Sequence, residues 1–207
     1  MLVRSMAPLT LSIAVALLSW RAIAAPTPVE RRAVSADLLA SFNLFEQYSA
    51  ASYCAQNNNS TGTEVSCEAG NCPLVDAATT NTVVEFEDSV VTDTTGFVAT
   101  DSTNSQIYTY GAPRIGPAAL SDYITAQGNN YRVTHLNDPV PRLPTLNMGY
   151  VHISPEYYIS SANDAAVTAN DINTYVGNSN LSGNAQWGLA VDIAAHLWYF
   201  GDISACE

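Results

Sequence analysis

The chain has 207 residues, and its seven cations, all arginine, face 19 acids for a formal net charge of −12. That balance excludes recognition of nucleic acid or an anionic membrane surface by simple attraction, and leaves a neutral, apolar ligand open. After Arg32 the only basic side chains are Arg114, Arg132 and Arg142.

Residues 1–25 have the pattern of a secretory signal. Arg4 supplies the basic start, Leu9 to Leu18 a short apolar core, and Ala22-Ile23-Ala24 a small-x-small cleavage site. The apolar run is too short for a membrane span, so no integral span is expected. Residues 26–32 read as a pro-segment ending in the dibasic site Arg31-Arg32. Residues 33–207 remain, enough for a single domain with its own core. Four cysteines follow the signal: Cys54, Cys67, Cys72 and Cys206. An even count in an exported chain favours disulfides, and three connectivities are possible. The simplest joins Cys67 to Cys72 as a local clip and Cys54 to Cys206 as a long staple. The spacing lacks the histidines of a mixed zinc site, so no metal is expected.

Ser35 to Tyr53 is the clearest helix. Leu38, Phe42, Phe45 and Ser49 recur at three-to-four spacing, and Leu39 and Tyr48 widen the apolar face. Ser35 is placed to cap it, with Asp37 in the favourable first turn. The polar loop 57–62 offers glycosylation acceptors at Asn58 and Asn59, which overlap, and a third acceptor is Asn180. Thr82 to Phe86 has strand composition. Gly96 to Thr100 and Gln106 to Tyr110 read as two further strands, joined as a hairpin by the turn residues 101–104. Gly111-Ala112-Pro113-Arg114 stops the second one, and Pro117 to Ala126 forms a short helix with proline at its start.

In Tyr131 to His135, Tyr131, Val133 and His135 alternate with Arg132 and Thr134, as in a strand, and Asn137-Asp138-Pro139 ends it. Gly149 to Ile153 reads as another strand, and Ser154 to Ile159 as an extended or turned aromatic segment. Residues 163–184 are loop-rich, with a short helical possibility near Asp171. A late apolar run, Ile193 to Phe200, precedes Cys206. These strands are few for a parallel α/β sheet, which needs a crossover helix per strand. The pattern fits a small α+β protein or a larger fold with a piece absent.

The histidines are His135, His152 and His196. The first two lie inside predicted strands and are expected to make structural hydrogen bonds. Asp138 sits just beyond a strand end, held by backbone on one side and open to a partner on the other, and His196 is its best partner. An Asp can orient a His and stabilise the imidazolium during acyl transfer. A nucleophile would come upstream, on a Gly-x-Ser-x-Gly elbow, and no such pattern occurs. Ser89, Ser102 and Ser105 lack the flanking glycines and read as surface hydroxyls. No phosphate-cradling loop, His-Glu-x-x-His or calcium loop is present either.

Longer stretches carry a resemblance. Val34 to Leu39, Phe42 to Cys54, Cys67 to Pro73, Phe86-Glu87-Asp88, Thr95 to Ala99, Tyr108 to Gly116, Asn137 to Pro144, Ser154 to Tyr157 and Ala195 to Gly201 together resemble the secreted filamentous-fungal lipases of the class 3 family, which includes feruloyl esterases. The resemblance implies an α/β-hydrolase-like fold, with Asp138 orienting His196 as general base and acid. It also implies Cys54–Cys206 and Cys67–Cys72 disulfides, and no cofactor or metal. The implied substrates are long-chain acylglycerols, with feruloyl or aryl esters as the alternative class.

The departure is equally specific. In that family a long segment intervenes between the positions of Ile107 and Tyr108, carrying an oxyanion-hole Ser or Thr, the lid and a Gly-His-Ser-Leu-Gly elbow. The fold expected here is therefore an internally truncated α/β hydrolase without an identifiable serine, inactive as written. Its edge strands would be left open and prone to association. A non-enzymatic lipid-binding remnant or splice isoform is the competing expectation.

Overall fold

Helix α1 (Ala36–Ala51) organises two cores, one along each half of its length. The Ser35 hydroxyl accepts the Leu38 N–H at 3.2 Å and so satisfies one orphan donor of the first turn. The N-terminal half buries Phe42 completely, edge-on against Tyr108, Tyr131 and Tyr157, and beside Val133, Ile159, Ile172 and Tyr199. Burying one such ring contributes about 1.5–3 kcal/mol. The C-terminal half packs Ala51 into a second cluster with Cys54, Val65, Cys67, Cys72 and Val75, the last from helix α2 (Pro73–Ala78). Two disulfides run through that cluster, Cys54–Cys206 and Cys67–Cys72.

The computed structural model describes residues 33–58, 60–78, 80–88, 94–99 and 106–206. The expected signal and pro-segment lie outside the described residues, as do Asn59, Ser89, Ser102 and Ser105. Among the described residues no helix is long and apolar enough to cross a membrane.

Strands β1 (Thr82–Asp88) and β2 (Thr94–Ala99) pair antiparallel as a sheet of their own. The second sheet has the order β3-β4-β5-β6, from Ile107–Tyr110, Asn130–His135, Glu156–Ile159 and Ile172–Tyr175. Its first three strands run parallel and β6 antiparallel. This is the mixed sheet with covering helices of an α/β fold, and it ends at β3 among the described residues. Ile107 and Tyr108, the positions of the expected break, are consecutive residues of β3, paired with Asn130 and Tyr131.

Three expectations are corrected. Residues 96–110 do not form one hairpin: β2 pairs back with β1, and β3 pairs with β4 across helix α3 (Ala118–Gln127). Parallel pairing stacks Tyr108 on Tyr131, with ring centroids 4.6 Å apart, under α1. Gly149 to Ile153 yields only an isolated bridge, Val151 to Gly116, and the strand comes later, at β5. There Tyr157 and Ile159 face the α1 core. The loop-rich stretch also contains β6, entered through a turn that Thr168 and Asp171 cap reciprocally.

Both faces of β4 are buried, but they differ in kind. Tyr131, Val133 and His135 take the α1 side. On the other side Arg132 lies 3.3 Å from Glu156, which also accepts from the Thr134 hydroxyl at 2.6 Å and the Asn184 N–H at 3.0 Å. Gly183 is required beside this cluster, because a Cβ there would fall 2.2 Å from Glu156 Oε2.

Candidate active site

β4 delivers the chain to His135, and the turn that follows fixes Asp138. Its N–H donates to the His135 carbonyl at 3.1 Å. One carboxylate oxygen, Oδ1, accepts the Val140 N–H at 2.8 Å. Asn184 Nδ2 donates to the Leu136 and Asp138 carbonyls, pinning the turn from below. Asp138 is fully buried, so its carboxylate depends on protein donors rather than on water.

The second oxygen, Oδ2, receives two side chains. His196 Nδ1 lies 2.9 Å away and the Tyr199 hydroxyl donates at 2.6 Å. Burial first, then the Asp138 carboxylate, push the Tyr199 hydroxyl well above its ordinary range, so it remains a donor. His196 sits in the short helix α4 (Ala194–Leu197), with its side chain 27 % exposed. Nδ1 is engaged by Asp138, which leaves Nε2 as the ring nitrogen available to a reacting group, and the partial exposure gives a path to it.

Around the pair, supports converge from several elements. Asp192 Oδ1 accepts the Ala194 N–H at 2.9 Å, starting α4, and Asp192 N–H donates to Asn137. Buried His135 lies between the carbonyls of Ala195 and Ser161, 3.1 and 2.9 Å from its ring nitrogens. Gly111, at the end of β3, backs the His196 ring. Arg142 donates to the Asn137 and Gly188 carbonyls, both at 2.7 Å.

The structure thus brings Asp138 and His196 together, sets His135 behind them as a buried support, and places His152 elsewhere. His152 is buried against the Pro141 carbonyl. Burial first, then Arg132 and Arg114, lower it to about 3, so it stays neutral. Asn58 is half-buried in a turn. Asn180 is also half-buried, its side-chain nitrogen donating to Val176 at 2.8 Å. Among the described residues, the ligating side chains grouped closely enough to hold an ion are Cys54, Cys67 and Cys206, all in disulfides.

Tyr199, Gly111 and Asn184 went unread in the sequence. Tyr199 follows His196 by three residues inside an apolar run, where it looks like core. Gly111 looks like a strand stop, and Asn184 like loop polarity. For Tyr199 the three-residue spacing from His196 was the available signal.

Comparisons with known proteins bear on the family and the fold. Residues 9–82 match the Lipase 3 N-terminal region and residues 78–148 match Lipase (class 3). The secreted mono- and diacylglycerol lipase A of Penicillium cyclopium is 32% identical over 277 aligned residues, covering 88% of this chain and 91% of the relative. That alignment is longer than the whole chain, so it passes over a stretch of the relative with no counterpart here. A crystal structure of a mutant form of MDLA from Penicillium cyclopium superposes with a TM-score of 0.77 at 32% identity, covering 84% of this chain and all of that one. The mono- and diacylglycerol lipase of Aspergillus oryzae gives 0.73 at 29%, covering 82% and 98%.

Proposed function

We propose, from the premise that this chain belongs to the class 3 lipase family, that Asp138 and His196 are the acid and base of an acylglycerol ester hydrolase relay. The observation that carries this reading is the 2.9 Å contact between His196 Nδ1 and a carboxylate that is fully buried and independently anchored. In a complete relay the base takes the proton of a serine attacking the ester carbonyl and returns it to the leaving alcohol, and a water then releases the acyl group. Asp138 holds the imidazole in the required tautomer and stabilises the imidazolium. The reaction needs no metal or cofactor.

The nucleophile belongs to the segment absent at the 107/108 junction, so the 207-residue chain does not turn over esters. The segment's loss also explains a sheet that, among the described residues, stops at β3. Residues 1–25 are a signal peptide and 26–32 a pro-segment. The product is exported, with Cys54–Cys206 and Cys67–Cys72 formed in an oxidising compartment and glycans possible at Asn58 or Asn59 and at Asn180. The substrate class is mono- or diacylglycerol, as the names of its relatives suggest, rather than feruloyl ester.

Two measurements test the reading. Assay of the 207-residue chain on p-nitrophenyl and monoacylglycerol esters should give no turnover. Insertion of the corresponding segment of the Penicillium cyclopium relative between Ile107 and Tyr108 should restore turnover, and His196→Ala in that restored chain should abolish it. Ester cleavage by the 207-residue chain that survives His196→Ala sinks the proposal.

One observation favours a second reading as a lipid-binding remnant. Leu189, Val191 and Ile193, just ahead of His196, are 98 %, 64 % and 60 % exposed. Saturable binding of a monoacylglycerol ether, lost on replacing these three by serine, would select it.

A further inference from the structure

The two disulfides are neighbours as well as staples. The sulfurs of Cys54, Cys67 and Cys206 all lie within 4.8 Å of one another, although the residues come from just beyond α1, the clip loop and the C-terminal tail. Their exposure is unequal. Cys54 and Cys72 are fully buried and Cys67 nearly so, whereas Cys206 is partly exposed. The clip loop also grips the tail directly: Asn71 Nδ2 donates to the Asp202 carbonyl at 3.0 Å, and Asn71 Oδ1 lies 3.7 Å from Cys206 Sγ.

We propose that this cluster is a thiol-exchange site for small dithiols, entered at Cys206, in which the opened staple is passed to the clip. A dithiol thiolate attacks Cys206 Sγ, forming a mixed disulfide, and the Cys54–Cys206 bond breaks with its electron pair on Cys54. The Cys54 thiolate is enclosed and has the Cys67 sulfur within 4.8 Å. It attacks Cys67 Sγ, forms Cys54–Cys67, and expels Cys72 as a thiolate that takes a proton from water. The second thiol of the reagent closes on its own sulfur and frees Cys206. The reagent loses two electrons and the protein gains them as the thiols of Cys72 and Cys206. The end of α1 stays tied to the clip loop, while the tail that follows His196 is released.

This stands independently of the Asp138–His196 reading. The test treats the purified full chain with limiting dithiothreitol, quenches with acid, alkylates and maps the peptides by mass spectrometry, with a sample in strong urea as reference. The expected product carries labels on Cys72 and Cys206 and a Cys54–Cys67 bond, in excess over Cys54–Cys72. Labels confined to the original pairs, or Cys54–Cys67 and Cys54–Cys72 in the proportion seen in urea, overturn the proposal. If dithiothreitol reduces all four cysteines before the quench, the Cys72→Ser variant decides. Without reductant, its freed Cys67 should appear bonded to Cys54 or Cys206 in part of the population. A Cys54–Cys206 bond in every molecule of that variant overturns the proposal.

Discussion

Gly111 and His196 are in such close contact that a single added methyl group would collide with the ring: a Cβ at position 111 would lie 2.8 Å from His196 Nδ1 and Cε1. It would also lie 2.8 Å from the Tyr199 hydroxyl. Gly111 has φ of +62°, which side chains disfavour as well. Gly62, at φ +83°, has open space instead. Gly111→Ala should therefore destabilise by more than the strained backbone alone, which costs about 1–3 kcal/mol. Gly62→Ala should show only the backbone cost. Urea unfolding of the two variants measures the difference, and equal losses would mean the ring is free to move aside.

Tyr199→Phe removes one of the two side-chain donors on a buried carboxylate oxygen. A hydrogen bond to a charged group is worth about 1.5–3 kcal/mol. The variant should lose stability in that range, and the His196 Nδ1–H proton resonance should move as Asp138 leans on its remaining partner. An unchanged resonance would show that Tyr199 does not share the carboxylate.

Glu46 supplies a pH dependence. Burial pushes its carboxyl up to about 7, and nearby Asp202 adds to the rise while a Gly201 backbone hydrogen bond opposes it. The native state thus holds a proton that the unfolded chain releases near 4.5. The contribution is complete below 4.5 and is lost as pH climbs through 7, on the order of 3 kcal/mol in all. Glu46→Gln should remove this slope, so its stability relative to the parent should rise steadily from pH 4.5 to 8. Parallel stability curves for the two proteins would refute the assignment.

Arg132 and Glu156 form a buried pair, and breaking it from one side leaves a charge without its counterion. Arg132→Met or Glu156→Gln should each cost about 3–5 kcal/mol. The double replacement should cost clearly less than the sum, because neither charge is then stranded. Additive losses in a denaturation cycle would show that the surrounding hydrogen bonds, not the pair, carry the energy.

β3 leaves one edge without a described partner, and Ile107 on it is 52 % exposed. An open edge recruits other strands. Sedimentation of the purified chain should show concentration-dependent association, reduced by Ile107→Asp, which adds a charge to an already acidic protein. A monomer at all concentrations would mean the edge is covered.

What the sequence made legible was local. α1 declared itself through Ser35 and the spacing of Leu38, Phe42 and Phe45, and β4 through the alternation from Tyr131 to His135. The proximity of Asp138 and His196 was readable because a turn acid after a strand and a late histidine fit one chemistry. Strand pairing was not readable. Composition does not say whether residues 94–99 join β1 or β3; β3 pairs instead with β4, where Tyr108 and Tyr131 meet Phe42 from far away in the chain. β6 was hidden for a related reason: Ile172 and Tyr175 are two apolar residues in polar surroundings, and only β5 beside them makes them a strand. Tyr199 stayed unread because its hydroxyl finds its acceptor 61 positions away.

The bond from Cys54 to Cys206 encircles both flanks of the Ile107–Tyr108 junction in β3. Material added inside that ring lengthens it without opening it, and even a doubling of the ring would cost only about 0.6 kcal/mol in closure entropy. The covalent frame is thus nearly indifferent to what occupies the interval. An inserted block must recover its place in the sheet by packing alone, while the ends that receive it are already tethered.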